Sequence, residues 1–325
     1  MNNKALIIGI DKYKDCELHS CEKDANDISN LLQENYDGTK NFDVKTLLNE
    51  QATRANIRRN LRELFKHNCD IALFYFSGHG YDDENDGFIV SSDFAIDDYG
   101  ISMPEIIKFV NKSKAKNKIV ILDCCYSGFA GSTGIIGDES LLSEGTIILS
   151  ASRKDETAAG GRYGQNSVFT GLFIEALDGA ASDIFGNTSL SSIYAFIDRA
   201  LGTWEQRPIF KSNVDSFISL RKNKPSISNK EIKQITNLFS EKNEVLKLDP
   251  SYEPTNYDGS RDRHHEPYFI EENGKKFEIL QLYNKNGLVV TIEEKNLYET
   301  AMNSKNCKLT KLGMYYYDLV KSKKI

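Results

Sequence analysis

Cysteine is sparse here: six residues in 325, at positions 16, 21, 69, 124, 125 and 307. That density excludes a disulfide scaffold, and no two of them form a Cys-x-x-Cys pair of the kind that holds zinc. No N-terminal apolar stretch resembles a signal peptide, since Met1-Asn2-Asn3-Lys4 leads straight into a strand-like run. The expectation is therefore of reduced thiols in a cytoplasm, each serving packing or catalysis. No run of about 18 apolar residues occurs, so a membrane span is not expected. Basic excess is lacking too. Lys and Arg number 41 against 47 Asp and Glu, a net charge of -6, which weighs against a nucleic-acid partner. No internal repeat or low-complexity tract stands out.

What the sequence does contain is ordinary for a globular protein with a real core: 40% hydrophobic and 27% charged residues. The length exceeds the roughly 100–200 residues typical of one domain, so a large domain with a smaller one is the natural division. Short apolar runs read as buried strands at Lys4–Ile10, Phe42–Leu48, Ile71–Phe76, Lys118–Asp123 and Thr146–Ser150. Between them lie helical patterns: Ala25, Ile28, Leu31 and Leu32; Ile57, Leu61, Leu64 and Phe65 behind a capping Thr53; Met103–Val110; then Ser167–Leu177 and Leu190–Leu201. Continuous apolar strands alternating with amphipathic helices imply a mainly parallel sheet covered on both faces. The first domain is expected to be an α/β/α sandwich over residues 1–222. Residues 223–252, with a helix at Lys230–Asn243, read as a connector, and 253–325 as a smaller α+β domain. In that last part, helix, strand, helix and then Leu309-Thr310-x-x-Gly313-x-x-Tyr316 resembles the end of a winged-helix domain.

Functional groups of open α/β sheets collect beyond the carboxyl ends of the strands. Two such ends are unusual here. The third strand runs into Ser77-Gly78-His79-Gly80, the fourth into Asp123-Cys124-Cys125-Tyr126-Ser127-Gly128. Glycines on both sides of His79 free the backbone to turn sharply. A His and a Cys at neighbouring strand ends are the parts of an activated thiol nucleophile, with the imidazole lowering the thiol pKa and later protonating a leaving amine. Taken singly, a strand-end Cys is usually packing and a His between glycines a turn. Together they point to chemistry.

These segments, FYFSGHG and VILDCCYSG, resemble the caspase-like cysteine peptidases, most closely their metacaspase-type branch, over residues 4–220. The N-terminal Gly9-Ile10-Asp11 followed by Leu18, Cys21, Asp24 and Ala25 fits the same branch. The resemblance implies a caspase-type three-layer sandwich, Cys125 as nucleophile with His79 as its partner, and Cys124 as a buried neighbour. It also implies an oxyanion hole from the backbone N–H groups of Gly80 and Cys125. A primary specificity pocket of Cys21, Asp24, Ser77 and Asp123 would favour Arg or Lys before the scissile bond by charge-assisted hydrogen bonding.

There are departures from the branch's pattern. Tyr126 stands where many metacaspases have His, and Gly160 where an Asp often occurs. The acids at 82–86 and 97–98 read as solvated loops rather than calcium ligands, so no metal and no cofactor is expected. The stretch Ile119–Ser152 contains no Lys or Arg. An enzyme cutting after basic residues could not process itself there, though Arg153, Lys154 and Arg162 remain available beyond it.

The C-terminal domain reads as a sensor. Stand-alone bacterial proteins of this type resemble effectors of anti-phage defence or programmed death, some released by a nucleotide messenger made by a partner enzyme. Tyr257, Arg261, Arg263, His264 and His265 supply an aromatic ring and cations suited to a base and a phosphate, or else decorate a solvated linker. The alternative functions are a catalytically silent caspase fold that binds a signal or acts as a scaffold, and a winged-helix regulator with a subsidiary peptidase domain.

Overall fold

A computed structural model describes residues 2–82, 86–96, 98–124, 142–151, 164–201 and 208–325. The chain divides into two compact units, 1–224 and 225–325.

The apolar runs form the sheet expected of them. The strands β1 (Asn3–Gly9), β2 (Phe42–Leu48) and β3 (Ile71–Gly78) alternate with the helices α1 (Cys21–Gln33) and α2 (Arg54–Lys66). A three-stranded antiparallel sheet then intervenes: β4 (Gly80–Asp82), β5 (Gly87–Ala95) and β6 (Asp98–Ser102). Next come α3 (Met103–Asn111), β7 (Asn117–Cys124), β8 (Thr146–Ser150), α4 (Val168–Glu175), β9 (Asn187–Ser189), α5 (Leu190–Ala200), β10 (Ile209–Asn213) and β11 (Ser219–Lys222). Among the described residues the main sheet has six strands in the order β10-β8-β7-β3-β1-β2, all parallel except β10, which runs against β8.

Side chains alternate across a strand, and both sets are apolar. Leu6, Ile8, Phe74, Phe76, Val120 and Leu122 pack on one face with Leu61, Phe65, Ile106 and Val110 of α2 and α3. Ile7, Leu73, Tyr75, Ile121 and Leu149 pack on the other with Ala25 and Ile28 of α1, Phe173 of α4 and Ile193 and Ile197 of α5. This double burial is why the strands are continuous apolar runs. The first unit is the three-layer α/β/α sandwich that the sequence implied.

In the second unit the stretch 230–243 is not one helix. It forms two single turns, α6 (Asn229–Ile232) and α7 (Ile235–Leu238). Ser228 and Glu231 close a capping box on the first turn, and Phe239 is already extended. The strands β12 (Val245–Lys247), β13 (Val289–Thr291) and β14 (Asn306–Leu309) form a sheet in the order β12-β14-β13. The helices α8 (Glu271–Lys285), α9 (Leu297–Met302) and α10 (Lys311–Lys321) complete the unit, with β14 standing between α9 and α10. The segment read as a connector thus contributes α6, α7 and β12 to this unit. No described helix is long and apolar enough to cross a membrane.

Candidate active site

The site lies at the carboxyl ends of β1, β3 and β7. The loop between β1 and α1 is fastened at both ends. Asp11 accepts hydrogen bonds from the backbone N–H groups of Cys21 (2.8 Å) and Glu22 (3.1 Å), two orphan donors of the first turn of α1. Buried Asn49 has a left-handed backbone (φ 46°). Its Oδ1 accepts from the N–H groups of Asp11 and Lys12, and its Nδ2 donates to Glu22 at 2.7 Å. Gly9 lets α1 come close, because a Cβ there would stand 2.2 Å from the Cys21 carbonyl oxygen.

From this loop, the Cys16 carbonyl meets His79 Nε2 at 2.7 Å. A carbonyl only accepts, so Nε2 carries the proton and Nδ1 is left as the proton-accepting nitrogen of the neutral ring. Tyr13, buried, reaches the backbone N–H of His79 with its hydroxyl at 3.1 Å. Gly80, directly after His79, opens β4 opposite Ile89. The register of β3 and β7 pairs Ser77 with Asp123 and Gly78 with Cys124. In sequence, His79 and Cys125 are the residues that follow this last pair. Cys124 is buried; Cys125, with Tyr126 and the basic residues Arg153, Lys154 and Arg162, lies outside the described residues.

The four expected pocket residues come together. Ser77 Oγ donates to Asp24 Oδ2 at 3.2 Å, and the Cys21 thiol lies within hydrogen-bond reach of the same serine. Asp24 is fully buried and accepts from Asn166 Nδ2 (3.0 Å) and the Ser167 N–H (3.1 Å). Asp123 Oδ2 accepts from Ser167 Oγ and, at 2.7 Å, from Thr170 Oγ1. Burial, reinforced by the charge of Asp123 beside it, pushes the Asp24 carboxyl up to about 7. Burial also raises the Cys21 thiol well above its ordinary value, which suits a pocket wall rather than a nucleophile. Among the described residues no Lys or Arg pairs with either carboxylate.

Sequence reasoning missed Tyr13, the Cys16 carbonyl, Asn49, Asn166 and the pair Ser167 and Thr170. Ser167 alone carried a signal, as a capping residue ahead of a helical pattern; its side chain accepts from the Thr170 N–H. A backbone carbonyl such as that of Cys16 leaves no trace in residue type. The residues proposed for a C-terminal ligand sit in one loop of the second unit. Tyr257, Arg261, Arg263 and His265 are exposed and His264 half-buried, with its Nδ1 3.0 Å from the Asp258 carbonyl. Buried Asn256 organises that loop, donating to the carbonyls of Pro250, His265 and Pro267. Of the acidic loop, residues 83–85 and 97 lie outside the described residues, and Asp98 pairs with Arg54. Among the described residues no three His, Cys, Asp or Glu side chains converge as a metal site.

Residues 2–236 match the caspase domain family. Metacaspase-1A of Neurospora crassa is 36% identical over 100 residues, 26% of this chain and 22% of that protein, so the chain spans about a fifth of that relative. A crystal structure of a protein from Geobacter sulfurreducens has the same fold, with a TM-score of 0.51 at 19% identity, covering 69% of this chain and 98% of that one. The chain belongs to the caspase-domain family of cysteine peptidases.

Proposed function

We propose that the protein is a cysteine endopeptidase that cleaves after Arg or Lys, with Cys125 as nucleophile and His79 as proton-transfer group. The observation that carries the reading is the held imidazole. Its Nε2–H is committed to the Cys16 carbonyl and its Nδ1 is left to take a proton, one residue beyond the paired Gly78 and Cys124. The Cys125 thiol passes its proton to His79, and the thiolate adds to the scissile carbonyl. The oxyanion accepts hydrogen bonds from the N–H groups of Gly80 and Cys125. The imidazolium then protonates the leaving amine as the C–N bond breaks. Water, deprotonated by His79, adds to the thioester, and the thiolate leaves and regains a proton.

The basic preference follows from two buried carboxylates satisfied only by neutral donors among the described residues. An entering guanidinium or ammonium supplies the missing cation. The test is turnover of fluorogenic peptides ending in Arg, Lys or Asp by wild type, Cys125→Ala and His79→Ala. Cleavage of the Arg and Lys peptides, lost by about 10³-fold or more in both variants, is expected. Binding without any turnover by wild type would instead favour the catalytically silent scaffold.

The second unit we read as a sensor of a nucleotide messenger, in a cytoplasmic role in anti-phage defence or programmed death. What supports this is the grouping of Tyr257, Arg261, Arg263, His264 and His265 on one loop organised by Asn256. Calorimetric titration of the purified chain with cyclic nucleotides tests it.

A further inference from the structure

We propose that Tyr13 is a positioning residue for His79, acting as an inserted member of the strand ladder. This rests on reading His79 as the proton-transfer group. In an antiparallel pair, every second pair of directly opposed residues exchanges two N–H···O bonds. His79 and Val90 stand in that relation, one step before the Gly80–Ile89 pair. One bond is made: the Val90 N–H donates to the His79 carbonyl at 3.0 Å. The return bond is routed through a side chain. The His79 N–H donates to Tyr13 Oη at 3.1 Å, and the Tyr13 hydroxyl donates to the Val90 carbonyl at 3.1 Å.

The hydroxyl is thus both acceptor and donor, which satisfies a phenol that burial holds firmly in its protonated form. Inserting an oxygen between two partners keeps the strands apart at this point and sets the tilt of the Gly78–His79 peptide. The neighbouring glycine answers to the same oxygen, since a Cβ on Gly78 would stand 2.4 Å from Tyr13 Oη. The Tyr13 ring lies 4.6 Å from the imidazole, centroid to centroid, inclined at 57°. Three residues on, the Cys16 carbonyl holds the ring edge. One loop therefore grips His79 at its backbone, its ring face and its Nε2, and Tyr13 supplies two of the three holds.

Removing the hydroxyl leaves the His79 N–H either unpaired or closing directly on Val90, and in both cases the imidazole moves. A misplacement of about 1 Å costs on the order of 10²-fold in turnover. The experiment compares wild type with Tyr13→Phe, using selectively ¹⁵N-labelled histidine. The chain has five histidines, and His79→Gln identifies the resonances of interest. Expected are a kcat lower by roughly 10- to 100-fold with KM within about twofold, altered His79 ring-nitrogen shifts, and a melting temperature lower by only a few degrees, about what the loss of one buried hydroxyl costs. Unchanged His79 shifts overturn the proposal, whatever happens to kcat, and so do altered shifts with unchanged turnover. Should wild type cleave no peptide, the spectrum alone decides, so failure of the peptidase reading is told apart from failure of this one. If Tyr13→Phe does not fold, 3-fluorotyrosine at position 13 takes its place, keeping the volume while changing the hydroxyl as donor and acceptor, with the same spectral criteria.

Discussion

At the scale of the residue, the proton on Asp24 is the most informative feature. Its folded pKa, about 7, lies above the ordinary 3.8. The folded chain therefore keeps a proton that the unfolded chain gives up. The stability this group contributes is full below about pH 4, declines as pH rises towards 7, and is level above that, with a slope of at most about 1.4 kcal/mol per pH unit. Substrate binding has the opposite sense. A basic side chain needs the carboxylate, so kcat/KM for an Arg peptide should rise as pH passes upward through 7, carried by KM. Asp24→Asn should abolish that rise and flatten the thermal stability between pH 4 and 7. Parallel pH series of peptide kinetics and melting temperature check both, and an unaltered KM profile in the variant would remove Asp24 from the pocket.

At the scale of the element, long-range packing decides what the sequence could disclose. The strands β1, β3 and β7 were legible because burial on both faces leaves no polar position to blur the apolar run. The sheet β4–β6 was not: Gly87–Ala95 is buried at one end and exposed at the other, so it offers no clean period. Strand β10 carries only two large apolar residues, Ile209 and Phe210, and is an edge partner of β8. The proposed catalytic motif and the four candidate pocket residues lie in local signatures that the sequence displays. Their holders do not, since Tyr13 finds Val90 across 77 positions and Asn166 finds Asp24 across 142. The approach of α1 to β1 gives a prediction at this scale. In Gly9→Ala the new methyl meets backbone, which cannot swing away. We expect a loss of roughly 1–3 kcal/mol in urea unfolding, together with a weaker preference for basic peptides, because Cys21 and Asp24 ride on the displaced helix.

At the scale of the whole molecule, the stretch between β7 and β8 matters most. Its carboxyl end is tied down. The Ser143 N–H donates to Asn111 Oδ1 (3.0 Å), Asn213 Nδ2 to the Leu142 carbonyl (2.7 Å), and the buried Lys118 ammonium to the Glu144 carbonyl. Three elements, α3, β7 and β10, thus hold residues 142–144. Since Ile119–Ser152 offers no Lys or Arg, activity after basic residues should arise without a break there. Incubating the active protein and sequencing its fragments should find no cut within 126–152, and a cut in that range would defeat the claim.

The hydroxyl that stands between His79 and Val90 also bears on the birth of the chain. His79 is oriented by a residue 66 positions before it and by the strand whose Val90 follows it. The thiol proposed to attack comes later still, at position 125. A polypeptide still emerging from the ribosome therefore lacks an aligned imidazole until Val90 has joined the sheet, and lacks the proposed nucleophile until residue 125 has been added. On the proposed dyad, the order of translation itself keeps the incomplete site silent up to that residue.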